Sequence, residues 1–130
     1  MTDSLGVRRR LNEERNVWLT TVRTNGRPHV TPVWFIYLND RFWIGTGANA
    51  VKTKNIAVTG FVSLALENGD APVVAEGHAI IHATLRPTEV VAAFMEKYQW
   101  DITIGEDEDV GTVVILEVKV DRWIFDGPAA

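Results

Sequence analysis

Two turn signals near the start of the chain constrain its fold most. The segment VWLTTVRT is rich in β-branched and aromatic residues, and Asn25-Gly26 follows it directly. This dipeptide favours a type I′ hairpin turn, in which both central residues have positive φ. The segment HVTPVWFIYL then leads to a second turn signal, Asn39-Asp40, which RFWIGTG follows. The pattern predicts three antiparallel strands over residues 17–47, joined as a meander by two-residue turns.

The rest of the chain predicts more strands and a few short helices. Strands are expected over residues 61–67, over residues 73–85 with a bulge or bend at Gly77, and over TVVILEVKV continuing into DRWIF. Helices are expected over residues 2–16 and over TEVVAAFMEKYQ, and residues 50–58 predict a short helix or an ordered loop. Six antiparallel strands with small helices favour a closed or half-closed barrel, because closure removes exposed strand edges.

Length and composition exclude several classes of protein. A chain of 130 residues with 46% hydrophobic residues fits one domain, residues 1–130. The absence of cysteine excludes disulfides, thiolate metal sites and cysteine nucleophiles. No apolar run approaches the ~18–20 residues that cross a bilayer, and no apolar stretch follows the basic residues near the start. We therefore expect a cytoplasmic protein with neither a signal peptide nor a membrane partner.

The charge is distributed unevenly along the chain. The net charge of −4 argues against nucleic acid as a partner. Residues 1–54 carry nine basic and four acidic side chains, a balance of +5, whereas residues 55–130 carry four basic and thirteen acidic ones, a balance of −9. The basic part ends in Lys52 and Lys54. This local excess is compatible with one small phosphorylated ligand.

Histidines, serines and acidic residues form no recognisable catalytic or metal-binding pattern. His78 and His82 lie on a predicted strand, where four residues span about 13 Å, too far for both to bind one ion. Neither Ser4 nor Ser63, the only serines, lies in a nucleophile elbow. The run EDED at residues 106–109 lacks the spacing of a calcium loop. We predict neither a catalytic side chain nor a bound metal.

Polar and basic residues after the third predicted strand form a candidate phosphate site. Thr46, Lys52, Lys54 and Asn55 lie close together in the sequence. Two lysines, a hydroxyl and an amide can neutralise and hydrogen-bond a phosphate. The alternative is an exposed basic loop.

A proline and several aromatic residues mark the second predicted strand. Pro32 cannot donate to a strand ladder, so it predicts an edge or a break that frees the backbone of Val33 and Trp34 for a ligand. The alternative is a simple barrel-edge proline. Aromatic residues are dense in this region, and each of them could equally pack in the core: Trp34, Phe35, Tyr37, Phe42 and Trp43. Together these features describe a flat aromatic ligand on the strand, with its phosphate at the basic residues.

The ordered set of these residues resembles the pyridoxamine 5′-phosphate oxidase-like superfamily over about residues 8–85. The residues that carry the resemblance are Thr24, Gly26, Pro28, Pro32, Trp34, Thr46, Lys52, Lys54, Asn55 and Ile56. The resemblance implies a mainly β protein with small helices, built as a six-stranded antiparallel split β-barrel that binds FMN or the deazaflavin F420. It also implies a homodimer with cofactors in grooves at the interface.

The resemblance also assigns roles to the candidate residues. It implies a flavin ring along Pro32, Val33 and Trp34, and a phosphate held by the following residues, with Asn55 supporting their loop: Thr46, Lys52 and Lys54. The implied function is an FMN-dependent oxidoreductase that transfers hydride to a small-molecule substrate. The alternatives are an F420-dependent reductase, a non-catalytic flavin-binding protein or a barrel with an empty groove.

Two departures from the family pattern limit the assignment. Val51 stands where many members have a basic residue, so the phosphate site has one charge fewer. The chain ends in VDRWIFDGPAA, without the arginine-rich tail of the true oxidases. Pyridoxamine phosphate oxidase activity itself is therefore not expected.

Overall fold

The computed structural model describes residues 5–107 and 109–126, which form a mainly β structure with three short helices. The elements follow one another in this order: α1 (Leu5–Glu13), β1 (Val17–Val22), β2 (Pro28–Val33), β3 (Ile36–Leu38), β4 (Arg41–Gly47), α2 (Val51–Val58), β5 (Phe61–Leu66), β6 (Val73–His82), α3 (Thr88–Tyr98), β7 (Glu106–Asp107) and β8 (Gly111–Asp126). In the described part of the chain, no helix is both long and apolar enough to cross a bilayer.

Seven of the strands form one curled antiparallel sheet in the order β2-β1-β5-β6-β8-β4-β3, and β7 pairs with β8. The two edge strands, β2 and β3, are consecutive in the chain and are separated only by Trp34 and Phe35. Three Cα–Cα steps of 3.8 Å span at most about 11 Å, so the two edges of the sheet must approach each other. The sheet therefore curls into a barrel that stays open between β2 and β3, which confirms the expected split barrel.

The barrel interior forms the main hydrophobic core. Alternate residues of the strands face inward, and Val7 and Leu11 of α1 pack with them. A second cluster lies on the opposite face of β3, β4 and β8, where α3 covers the sheet. The helix contributes Val90, Phe94 and Tyr98 to this cluster, the three residues that its periodicity places on one face.

The predicted meander is wrong in its middle strand. Local propensity suggests one strand over residues 29–38, but the structure divides it into β2, which pairs with β1, and β3, which pairs with β4. The division separates the two halves to opposite edges of the sheet. Together with the short β7, it brings the strands of the described residues to eight rather than the expected six.

The two turn signals have different outcomes. Asn39 and Asp40 have φ values of 56° and 60°, as a type I′ turn requires, and they connect β3 to β4. At the first signal only Gly26 has positive φ, at 85°. The Gly26 amide donates to the carbonyl of Arg23 at 2.8 Å, so the hairpin has a three-residue loop and the predicted type I′ turn is wrong there.

Gly77 lies at a bulge in β6, as the sequence predicts. The register with β8 shifts between Glu76 and Gly77. A Cβ atom at residue 77 would collide with the backbone carbonyl oxygen of Lys119 in β8. The bulge therefore allows a close approach of two backbones that only glycine permits.

We expect Gly77→Ala to destabilise the protein by about 1–3 kcal/mol, because β8 must move to admit the methyl group. Urea denaturation measures the change. Gly69→Ala is the matched control, because no atom lies within 4 Å of a Cβ built there. If the two variants were equally stable, β6 and β8 could separate enough to admit the methyl group without loss of stability.

Candidate functional site

β2 is an edge strand whose inner face carries two polar side chains. Its register with β1 places His29 opposite the buried Thr21 and Thr31 opposite the buried Leu19, so both side chains face the barrel interior. Pro32 faces the outer surface opposite Trp18. A proline is compatible with this position because the far side of β2 has no ladder partner in the described chain.

The inner face of β2 contains polar atoms without a protein partner. His29 Nδ1 and Thr31 Oγ1 are buried, and neither has a hydrogen-bond partner among the described residues. Buried polar atoms are rarely left without partners. Two such atoms on the same face of an edge strand, about 7 Å apart along the strand, indicate a place for a polar ligand.

Lys52 of α2 adds a half-buried positive charge to these atoms. Burial lowers the pKa of Lys52. Burial also lowers the pKa of His29, and the charges of Arg23 and Lys52 lower it further. No carboxylate lies within ion-pair distance of Lys52 in the described parts of the chain. A partly desolvated ammonium beside a neutral imidazole favours an anion.

Two buried hydrogen bonds fix α2, and with it Lys52. Thr53 Oγ1 donates to the carbonyl of Gly47 at 2.7 Å, at the end of β4. Asn55 Nδ2 donates to Thr21 Oγ1 at 3.0 Å, in the middle of the barrel wall. Asn55 therefore contacts β1, and its role at the cofactor site remains a prediction.

The two predicted lysines lie on opposite sides of α2. Residues two positions apart on a helix differ by about 200° in direction, so Lys52 and Lys54 point to opposite sides of α2. Lys54 is exposed. Thr46 is partly buried in β4, opposite Val114. The phosphate roles of Lys54 and Thr46 remain predictions.

Most of the aromatic residues near Pro32 belong to the core. Phe35, Phe42 and Trp43 are buried, and Tyr37 packs edge-on against Phe42. Trp34 differs from them, because 39% of it is exposed. Its ring stacks on Tyr98 with 4.5 Å between centroids and 7° between planes. Of the five, Trp34 alone presents a large ring surface at the split.

Side chains of α3 form hydrogen bonds with the backbone of the bend between β2 and β3. The amide of Phe35 donates to Tyr98 Oη at 2.9 Å, and Lys97 Nζ donates to the carbonyl of Phe35 at 3.1 Å. Tyr98 Oη also lies 2.8 Å from the carbonyl of Arg15, which can accept its hydrogen. These contacts hold Trp34 and the end of β2 in place.

The remaining histidines contact carboxylates of β8. His82 Nε2 lies 2.8 Å from Glu117 Oε1, and His78 Nδ1 contacts Asp121. Within residues 5–107 and 109–126, no group of three or more His, Cys, Asp or Glu side chains is arranged to hold a metal ion.

Sequence reasoning missed His29, Thr31 and Tyr98. The first two alternate with Val30 directly before Pro32, and this period of two is the signal that places them on one face. Tyr98 is predicted only as a core residue of α3. No local sequence pattern indicates that its hydroxyl accepts a hydrogen bond from a residue 63 positions earlier.

Comparison with known proteins identifies the family. The family model for pyridoxamine 5′-phosphate oxidase matches residues 6–126. The chain belongs to the pyridoxamine 5′-phosphate oxidase family. A search of curated proteins finds no match.

Solved structures of this fold have diverse names. The conserved hypothetical protein Rv2991 from Mycobacterium tuberculosis is 24% identical, with a TM-score of 0.74 over 95% of this chain and 83% of that one. HutZ, a heme storage protein from Vibrio cholerae, is 17% identical, with a TM-score of 0.76 over 99% and 98%. An F420 reductase is 20% identical, with a TM-score of 0.67 over 87% and 92%. At these identities the likeness shows the fold alone.

We expect Tyr98→Phe to destabilise the protein by about 1–3 kcal/mol, because the buried amide of Phe35 loses its acceptor while the ring stack on Trp34 remains. Urea denaturation measures the loss, and hydrogen exchange reports the amide of Phe35. Unchanged exchange at Phe35 would contradict the role assigned to the hydroxyl.

Proposed function

We propose that this chain binds FMN along the free edge of β2, next to its inward polar side chains, and acts as a flavin-dependent oxidoreductase on a small-molecule substrate. The observation that carries the proposal is the pair of buried, unpartnered atoms of His29 and Thr31 beside the half-buried Lys52. The cofactor F420 is the alternative, as is a flavin-binding protein without turnover.

The residues present fit a phosphorylated, flat cofactor. A phosphate accepts hydrogen bonds from a hydroxyl, an imidazole N–H and an ammonium, which Thr31, His29 and Lys52 supply. Beyond this cluster β2 ends at Val33, and its outer edge has no strand partner among the described residues. Backbone groups along Pro32, Val33 and Trp34 are therefore available to a planar ring.

Each residue of the chain has a binding or positioning role in this proposal. When bound, the flavin supplies the hydride chemistry. Lys52 is the proposed contact of the anion, with Thr46 as a further one, and we propose that Lys54 adds a weaker, longer-range attraction from the other side of α2. Asn55 and Thr53 hold α2 so that Lys52 stays near β2. The protein needs no catalytic side chain, because its contribution is to bind and orient the ring.

The position of α1 favours FMN over F420. F420 has a longer anionic tail, which a long basic groove would stabilise. Arg10 of α1 is bonded to Glu14 and to the carbonyl of Ala71, and Arg8 lies 4.0 Å from Asp40. These arginines are thus engaged with acidic and carbonyl groups around α1. These contacts engage two of the cations that a longer anionic tail could use, so we favour FMN with its short phosphate tail.

We expect purified protein to bind FMN more tightly than F420. Lys52→Ala removes a partly desolvated charge-assisted contact, worth about 1.5–3 kcal/mol, or roughly a 10- to 100-fold rise in Kd. Lys54→Ala is the matched control and is expected to weaken binding less, because Lys54 is exposed on the other side of the helix. Thr31→Val tests the hydroxyl without changing shape. Absorption and fluorescence titration measure all four proteins.

Three outcomes would contradict parts of this proposal. No binding of either cofactor, or a purified protein whose spectrum is that of heme, would reject flavin binding. If Lys54→Ala raised Kd more than Lys52→Ala did, the phosphate would have to bind on the other side of α2. A bound flavin that no nicotinamide or deazaflavin reductant reduces would favour the non-catalytic alternative.

We also propose that a second copy of the chain covers the outer face of the sheet and completes the cofactor groove. Aligned residues of five neighbouring strands form an apolar row across this face: Pro32, Trp18, Ala65, Val74 and Phe125. Trp18 is 42% and Phe125 43% exposed. Contiguous exposed apolar surface is typical of an interface. The row ends at Pro32, so a partner packed on it would border the proposed ring site.

We expect the wild-type protein to be a dimer and Trp18→Glu to shift it to monomers, because a charge in the apolar row would be buried by the partner. Light scattering after gel filtration measures the mass. The control is Ile104→Glu, an exposed apolar residue outside the row. A monomeric wild type, or a dimeric Trp18→Glu variant, would contradict the proposed interface.

A further inference from the structure

A groove between α1, β3 and α3 contains Lys97 and shares no residue with the proposed cofactor site. Its volume is about 330 Å³, within the range of small-molecule pockets. Its lining is largely apolar, with Leu11, Ile36, Leu38 and Ala93 among the lining residues. Neither the proposed flavin chemistry nor the proposed dimer uses this groove.

The amino group of Lys97 is held against protein carbonyls and a ring. Nζ donates to the carbonyl of Phe35 at 3.1 Å and lies 3.5 Å from that of Leu11, and the centroid of the Phe35 ring is 4.0 Å away. An ammonium has three N–H donors and a neutral amine has two. A neutral amine could therefore still donate to both carbonyls.

Burial makes the neutral amine more accessible at Lys97, although the two carbonyls and the Phe35 ring stabilise the ammonium. Burial lowers the pKa of Lys97 to about 8, with Arg15 acting in the same direction and Glu14 against it. The other titratable groups near this amine are Glu96 and Tyr37, which line the groove, and Tyr98, whose ring centroid is 5.3 Å from Nζ. At pH 7 about a tenth of such a group is neutral, compared with about 0.04% for an ordinary lysine.

We propose that Lys97 is a carbonyl-reactive lysine whose groove accepts a small, uncharged, apolar aldehyde. The amine nitrogen adds to the carbonyl carbon, and the carbonyl oxygen then leaves as water with the two hydrogens of the amine. The product is an imine, and the step needs neither oxidant nor reductant. Glu96 in the lining disfavours aldehydes that carry a carboxylate.

Imine formation removes the amine hydrogens from the two carbonyl contacts. The single hydroxyl hydrogen of Tyr98 can then go either to the carbonyl of Phe35, at 2.9 Å, or to that of Arg15, at 2.8 Å. The contact with Leu11 is long, at 3.5 Å, so little is lost there. Desolvated lysines that form Schiff bases are a known route to covalent chemistry.

The test is labelling of the whole protein with benzaldehyde and cyanoborohydride at pH 7, followed by peptide mapping. Lys54 and Lys119 are exposed and serve as internal references in the same sample. We expect Lys97 to be labelled on the order of tenfold or more faster, because its larger neutral fraction outweighs its lower basicity.

A second experiment distinguishes the contribution of the groove from the reactivity of the amine. Ala93→Phe fills the groove and should slow labelling of Lys97 by benzaldehyde but not by formaldehyde, which is too small to need the groove. The wild-type protein alone can overturn the proposal. It would do so if Lys97 were labelled no faster than Lys54. Fast reaction with formaldehyde but not with benzaldehyde would overturn the assignment of the groove.

Discussion

The bend at Trp34 and Phe35 is the constraint on which the rest of the structure depends. The chain leaves one edge of the sheet and enters the other at this bend. The backbone N–H and C=O groups of the bend need hydrogen-bond partners, and no neighbouring strand supplies them. Tyr98 accepts from the amide of Phe35, and Lys97 donates to its carbonyl. Both residues lie at the end of α3. The helix thus sets where the barrel opens, and the opening creates the free edge of β2.

The candidate site follows from that free edge. Because β2 has a partner on one side only, its inward polar side chains lie next to the opening instead of inside a closed wall. α2 approaches from the end of β4 and is bonded to Gly47 and Thr21, so a cation is held beside these side chains at some cost in solvation. A ligand with negative charge offsets that cost. The fold therefore places this partly desolvated cation beside the polar side chains of β2 before any ligand binds.

Much of this architecture could be predicted from sequence, and the exceptions have physical reasons. The strand segments, the bulge at Gly77, the sheet-edge position of Pro32 and the buried face of α3 all follow from local patterns. The division of the second strand could not be predicted, because its cause is a helix more than 50 residues later. The opposed directions of Lys52 and Lys54 depend on whether their segment is a helix or a loop, and composition left both open.

The long strand β8 has a consequence for how the chain folds. Its 16 residues lie between β6 and β4, and β4 pairs with it across about 70 residues of sequence. Contacts of such separation carry a large loop-closure cost and slow the search for the native state. Until β8 emerges from the ribosome, β4 can pair only with the three-residue β3, and one side of β6 is a bare edge. During synthesis the nascent chain therefore exposes two unpaired strand edges, and this is the interval in which it most needs protection from aggregation.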